Sequence, residues 1–398
     1  MSFVYFINWL FSIFEVQKER MKIYLLYLLL LVNIACASDH YSSAPANPDA
    51  SPEAVQLLDF LYSIQGKFIL SGQHNFLYEP VKYTELVHQI TGRYPVVWGC
   101  DFSFNVSGED ARKFQHCGPA NLMDYADTFR FHGIHPDTLR ERMVQKAIEL
   151  WKKGHIITLM WHHCFPPLGD TCNGSSVWAM ENRPSPELWD SLVTEGTALN
   201  NAWKKQAEII APWLQKLRDA HVPVLWRPYH EMNGVWFWWC NQQGENGFPR
   251  LWKMMFRYFT REKKLNNLLW VWNANAPRDI SGDEAYPYHL YYPGNEYVDV
   301  LAADVYRNDY RQEHHDQLVQ LGMGKPIAIG ETGDLPVDSI LSAQPRWTWF
   351  MVWGYFIRFS QNPPEKVKAL YHSSRVLTLD ELVIKKDGLH LAKPEMEF

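Results

Sequence analysis

Short apolar runs recur along this chain with helix-like stretches between them, and that alternation is its strongest structural signal. The candidate strands are Lys67–His74, Tyr94–Phe102, His155–His162, Pro223–Glu231, Asn267–Asn275, Val298–Tyr306, Pro326–Glu331 and Trp347–Trp353. Several are near-continuous runs of Val, Ile, Leu and Trp, as expected of parallel strands covered on both faces. Helical spacing falls between them. Asp137–Lys153 is apolar at helical intervals, with Lys152 and Lys153 in its last turn and Gly154 just past it. Pro186–His221 predicts one long helix or two shorter ones, and Arg250–Lys264 predicts another. Strand–helix alternation predicts an α/β fold. Eight repeats favour closure into a single (β/α)8 TIM barrel, and no GxGxxG follows the first strand to point to an open nucleotide-binding sheet.

The barrel is expected to occupy residues 51–398. Residues 38–50, rich in Ser, Pro and Ala, read as a linker. Residues 1–37 read as a leader. Met21 and Lys22 precede an apolar run from Ile23 to Ile34 and then Ala35-Cys36-Ala37, the layout of a secretory signal, with Met21 the expected true start. Cleavage before Cys36 would leave a lipidated cysteine and a membrane tether; cleavage after Ala37 would leave a soluble form. Either way the protein is expected to be exported, periplasmic or secreted, and to act as a monomer. Past the leader five cysteines remain, and export permits a disulfide, for which Cys164 and Cys172 are nearest in sequence.

Composition narrows the function. The net charge is −6 and no long Lys/Arg cluster appears, which argues against a nucleic-acid partner. Aromatics are abundant, with 18 Trp, 20 Tyr and 21 Phe. Sugar rings stack their C–H faces on indole, so this excess is compatible with a carbohydrate ligand as well as with a Trp-rich core.

In a barrel of this kind the active site lies at the C-terminal ends of the strands. Strand three ends in Trp161-His162-His163, strand four in Arg227-Pro228-Tyr229-His230-Glu231, strand six in Asp304-Val305-Tyr306, strand seven in Gly330-Glu331 and strand eight in Trp353. One terminal carboxylate means little; it caps a helix or pairs with an arginine. Glu231 and Glu331 on strands four and seven can meet across the barrel mouth, and glycoside hydrolysis requires such a pair, one protonated and one ionised. Alternation places Arg227 on the same face as Glu231, where it can keep a nearby carboxylate ionised, and Tyr306 is placed to donate to Glu331. His162 and His230 are expected to orient Glu231 or to bind sugar hydroxyls. Trp236 and Trp353 are the candidate stacking platforms. Strand one has no His-x-His pair and the chain has no HExxH, so no metal and no cofactor are expected.

The stretch Trp226-Arg227-Pro228-Tyr229-His230-Glu231-Met232-Asn233-Gly234 and on to Trp239 resembles glycoside hydrolase family 26, best known for β-mannanases. Ile327–Gly333 resembles that family's nucleophile strand, and Ser71–Asn75, Trp161-His162, Asp304–Tyr306 and Phe350–Trp353 fit as well. The resemblance covers essentially the whole mature chain. It implies Glu231 as acid/base, Glu331 as nucleophile and His230 as neighbour of the acid/base. It further implies His162 and Tyr306 as supports, Trp236 as a sugar platform, Asp304 in the same wall, and retention of configuration. The expected partner is β-mannan polysaccharide or manno-oligosaccharides, cleaved internally as a β-1,4-mannanase. Release of mannobiose from chain ends, action on β-1,3-xylan or mixed-linkage glucan, and a non-catalytic glycan-binding barrel are the alternatives. His162–Phe165 and the segment after Asp101, through Phe131, do not match the family pattern, and they bear on the distal subsites.

Overall fold

The computed structural model describes residues 43–102, 136–168, 176–385 and 388–392. The leader over 1–37 with Met21 and Cys36, residues 103–131 and Cys172 lie outside the described residues. No helix among the described residues is long and apolar enough to cross a membrane.

Helix α1 (Pro52–Ile64) opens this region, with the Ser51 hydroxyl accepting from the Ala54 amide as its cap. Strand β1 runs in two pieces, Ile69–Leu70 and Gly72–His74. There follow α2 (Lys82–Thr91), β2 (Val97–Asp101), α3 (Pro136–Lys152) and β3 (Ile156–Trp161). The predicted Pro186–His221 segment resolves into two helices after the short α4 (Ala179–Asn182): α5 (Pro186–Val193) and α6 (Ala198–Asp219). Each has its own start signal. Ser185 accepts from the Leu188 amide and Thr197 from the Asn200 amide, which satisfies donors that a single continuous helix would have used internally. Then come β4 (Val224–Pro228), α7 (Phe248–Arg257), β5 (Leu268–Asn275), β6 (Val300–Val305), α8 (Gln312–Gly322), β7 (Ile327–Thr332), α9 (Asp338–Ala343), β8 (Trp347–Val352), α10 (Pro364–Tyr371) and β9 (Val376–Leu377). The antiparallel pair β10 (Leu382–Lys385) and β11 (Gly388–Leu391) ends it.

Strands β1 to β8 pair in parallel, each with the next, and β8 returns to β1 through Gln73 opposite Val352. All eight predicted strands are present, and the barrel is closed. The near-continuous apolar runs follow from this closure. Odd and even positions of one strand serve different cores. Leu225, Leu269, Val271, Val300, Ala302, Ala328 and Trp349 join one buried cluster with Ala54, Leu57, Leu58 and Leu61 of α1. Their immediate neighbours Trp226, Trp270, Leu301, Ala303, Ile329 and Phe350 join the other, with the surrounding helices. Thus α1 packs under the strand starts and the opposite mouth is left for chemistry.

The stretch expected to be a linker is docked from residue 43 onward. The Ala46 amide donates to Asp299 Oδ1 at 2.6 Å, Asn47 is buried, and the Ser51 amide donates to the Asn266 carbonyl at 2.7 Å. Cys164 is disulfide-bonded to a partner outside the described residues, whereas Cys100 and Cys240 are free and buried.

The barrel seam tolerates little added volume. A Cβ on Gly72 would lie 2.4 Å from the Phe350 carbonyl oxygen and 3.2 Å from Val97 Cβ, so the backbone itself must move. Gly72→Ala is expected to destabilise by roughly 1–3 kcal/mol, read as lower thermal and urea midpoints; unchanged midpoints would show that the seam relaxes freely.

Candidate active site

Inward alternation brings polar residues to the C-terminal mouth from almost every strand. His74, Asp101, Arg227, Asn273, Asn275 and Asp304 occupy inward positions near the strand ends, and His162 and Trp353 follow β3 and β8. The two glutamates arrive there by departures from regular strand geometry. In β7 the pairing with β6 steps from Ala303–Ile329 to Asp304–Glu331 and skips Gly330. Ile329 packs outward, so strict alternation would turn Glu331 outward too; the bulge at Gly330 returns it to the mouth beside Asp304. Only glycine fits that position. A Cβ on Gly330 would lie 1.8 Å from Asn273 Oδ1.

Glu231 reaches the mouth differently. Sequence alternation treats residues 223–231 as one strand, but β4 stops at Pro228, and Tyr229 and Glu231 take left-handed φ values of 51° and 56°. Tyr229 swings out into the helix packing, where Trp203 Nε1 donates to its hydroxyl at 2.8 Å. The Glu231 amide donates to the Asn273 carbonyl at 2.8 Å, which pins the turn to β5.

The two carboxyl groups have opposite surroundings. Glu331 is 3% exposed; Arg227 Nη2 donates to its Oε1 at 2.7 Å and the Tyr306 hydroxyl to its Oε2 at 2.8 Å. Arg227 Nη1 also reaches Asn273 Oδ1 at 2.9 Å and Asp304 Oδ1 at 3.4 Å. Glu231 is 7% exposed and has neutral donors: Trp236 Nε1 at 2.7 Å on Oε2 and the Asn275 side-chain amide on Oε1. Burial, reinforced by the charge of Glu331, raises the Glu231 carboxyl from the ordinary carboxylate range to about 8. Burial and Glu331 likewise push Asp304 well up, against the pull of Arg227. Tyr306 is pushed well above its usual range by burial and then by Glu331, so it stays a neutral donor. Burial and the neighbouring His162 and Arg227 hold His230 well below the usual histidine range, and its imidazole is neutral near pH 7.

Every residue singled out from the sequence lies in or against this cleft, but two partners differ from expectation. His162 Nδ1 bonds Asp101 rather than orienting Glu231. His230 Nε2 faces Glu331 Oε1 at 3.6 Å, beyond hydrogen-bond reach, rather than Glu231. Trp236 presents its N–H to Glu231 and lies under the Arg278 guanidinium at 5.2 Å. Trp353 stacks on His74 at 3.9 Å and is among the residues lining the cleft. The cleft has a volume of about 520 Å³ and continues past the glutamates along Trp178, Asp283, Arg307 and Tyr355. His230, Asp304 and Glu331 offer donor atoms within 4.8 Å of one another, as a metal site would, but Arg227 already places its positive charge between the two carboxylates.

Asn273, Asn275, Arg278 and Asp283 escaped sequence reasoning. The available signal was Asn273-Ala274-Asn275, two amides on one face of an otherwise apolar strand.

Residues 46–112 and 105–381 match glycosyl hydrolase family 26. The chain is 32% identical over 355 residues to a mannan endo-1,4-beta-mannosidase of Thermothelomyces thermophilus, an alignment covering 84% of this chain and 62% of that longer protein. Among solved structures, GH26A from Muricauda sp. MAR_2010_75 is 43% identical with a TM-score of 0.74, covering 85% of this chain and 99% of that one. A beta-mannanase from a symbiotic protist of the termite Reticulitermes speratus, complexed with gluco-manno-oligosaccharide, is 31% identical with a TM-score of 0.64, covering 85% and 97%.

A methyl group on residue 330 tests the bulge. Gly330→Ala displaces Asn273, which holds Arg227, so kcat/KM is expected to fall on the order of 10²-fold with a smaller loss of thermal stability. Wild-type kinetics in that variant would mean that the bulge does not aim Glu331.

Proposed function

We infer, from the premise that this chain belongs to glycosyl hydrolase family 26, that it is an endo-acting β-1,4-mannanase. It hydrolyses mannan, glucomannan or galactomannan with retention of configuration. The observation that carries this reading is the unequal treatment of two carboxyl groups in one cleft. Glu331 meets a guanidinium and a phenol; Glu231 meets neutral N–H donors and is raised toward neutrality. The substrate follows from the relatives. One is named a mannan endo-1,4-beta-mannosidase and another holds a gluco-manno-oligosaccharide.

In the first step a Glu331 oxygen attacks the anomeric carbon, the glycosidic C–O bond breaks, and the Glu231 proton passes to the departing oxygen. Once Glu331 is an ester it carries no charge, and one of the two influences raising Glu231 disappears. Glu231 is then the stronger acid and holds a carboxylate. In the second step that carboxylate takes a proton from water, the water oxygen attacks the anomeric carbon, and Glu331 leaves. Tyr306, held neutral, donates to Glu331 while its charge is present, and Arg227 balances that charge in the buried site. Trp236 and Trp353 supply flat apolar surface for sugar rings beside the reacting pair.

Glu331→Ala is expected to lose nearly all turnover on mannan. Glu231→Ala is expected to stall mainly on substrates with poor leaving groups, because a good leaving group departs without a proton. Chromatography of early products from mannan should show a spread of oligosaccharides; mannobiose alone from chain ends would overturn the endo assignment, and full activity in either variant would overturn the mechanism.

A further inference from the structure

The wall of the cleft beyond β5 carries a relay that ends on Glu231. Arg278 is clamped first. Its Nη2 donates to Asp283 Oδ1 at 2.6 Å and its Nε to Asp283 Oδ2 at 3.0 Å, and its backbone is bridged to Ala285 in both directions at 2.9 Å. Asp283 also meets Arg307 at 2.7 Å. So held, Arg278 Nη1 donates to Asn275 Oδ1, and the guanidinium lies over the Trp236 ring. Asn275 and Trp236 are the two side chains that donate to Glu231, one to each carboxyl oxygen. The Asn275 backbone is fixed as well, with Asn233 accepting from its amide and donating to its carbonyl, both at 2.7 Å.

A side-chain amide has an acceptor end and a donor end, and its hydrogen-bond partners decide which way it faces. With Arg278 on Oδ1, Asn275 can offer Glu231 only its N–H. Without Arg278 the amide is free to turn and accept the proton of a neutral Glu231. That arrangement would stabilise the acid and draw its proton away from the departing glycosidic oxygen. We propose that Arg278 is a positioning residue for the acid/base: clamped by Asp283, it orients Asn275 and backs Trp236 so that both donate to Glu231, and its charge favours the carboxylate that the second step requires. The proposal rests on the reading of Glu231 as acid/base. The other ionisable groups acting on Glu231 are Glu331 from β7, Asp304 and Tyr306 from the end of β6, and Cys240 in its own loop. All of these oppose the carboxylate or are neutral, and Arg278 is the cation on the other side.

The test is the pH dependence of kcat/KM on an aryl β-mannobioside with a poor leaving group, whose departure needs the Glu231 proton, for wild type, Arg278→Met, Arg278→Lys, Asn275→Ala and the Arg278→Met/Asn275→Ala double variant. Arg278→Met is expected to move the alkaline limb up by roughly half to one pH unit and to lower kcat, while Arg278→Lys, which keeps the charge, stays nearer wild type. Asn275→Ala carries the same upward shift without disturbing the Arg278–Asp283 clamp, so it decides the matter even if Arg278→Met does not fold. In the double variant the two shifts should be less than additive, because one residue acts through the other. An unmoved or lowered limb in the Arg278→Met or Asn275→Ala variant, or full additivity, overturns the relay. An alkaline limb that persists in Glu231→Gln belongs to another group and overturns the acid/base reading instead.

Discussion

A carboxylate removed from water costs several kcal/mol unless a positive charge and hydrogen bonds meet it. This site buries three acids, Glu231, Asp304 and Glu331, and one buried guanidinium, Arg227, lies within ion-pair distance of the last two. Arg227 cannot neutralise all three. Its close contact is with Glu331 at 2.7 Å, and the more distant Asp304 and Glu231 are both driven toward the protonated form. The division of labour that a double displacement needs is therefore set by where one arginine points. Met160, Asn273 and Asp304 surround that guanidinium and hold its direction.

The backbone delivers the two glutamates by local irregularity on a regular frame. A closed parallel barrel with α1 packed under the strand starts leaves one polar mouth. Regular alternation would turn Glu331 of β7 away from that mouth, and β4 ends three residues short of Glu231. The bulge at Gly330 and the left-handed pair Tyr229 and Glu231 correct the aim. Such features cost strain or conformational entropy, and they persist where neighbouring structure over-determines them. Asn273 is that structure on both sides: its carbonyl accepts from Glu231, and its side-chain oxygen meets Arg227 and fills the space that a Cβ at residue 330 would need.

Much of this was legible in the chain. The eight strands and their order follow from doubly buried apolar runs, and the Arg227 and Tyr306 contacts with Glu331 follow from strand-end positions. Other features were not legible, for identifiable reasons. A bulge changes the parity of one strand and leaves no compositional mark beyond a glycine, so Glu331 was placed inward without the geometry that puts it there. Likewise Arg227 and Glu231 do share a face, but through a turn and not by alternation. Asn275 and Arg278 were invisible because an amide reveals its role only through the partner that orients it. The docking of residues 43–50 depends on Asp299, more than two hundred residues away, and local composition alone reads that stretch as a tether.

The unequal protonation of the two glutamates is the claim on which the account stands, and carboxyl-carbon NMR titration of the folded enzyme measures it directly. With labelled glutamate, one resonance should titrate near the value of about 8, disappear in Glu231→Gln, and move to lower pH in Glu331→Gln, where the neighbouring charge is gone. A Glu231 resonance that titrates in the ordinary carboxylate range, or one that stays in place when Glu331 is neutralised, would contradict it.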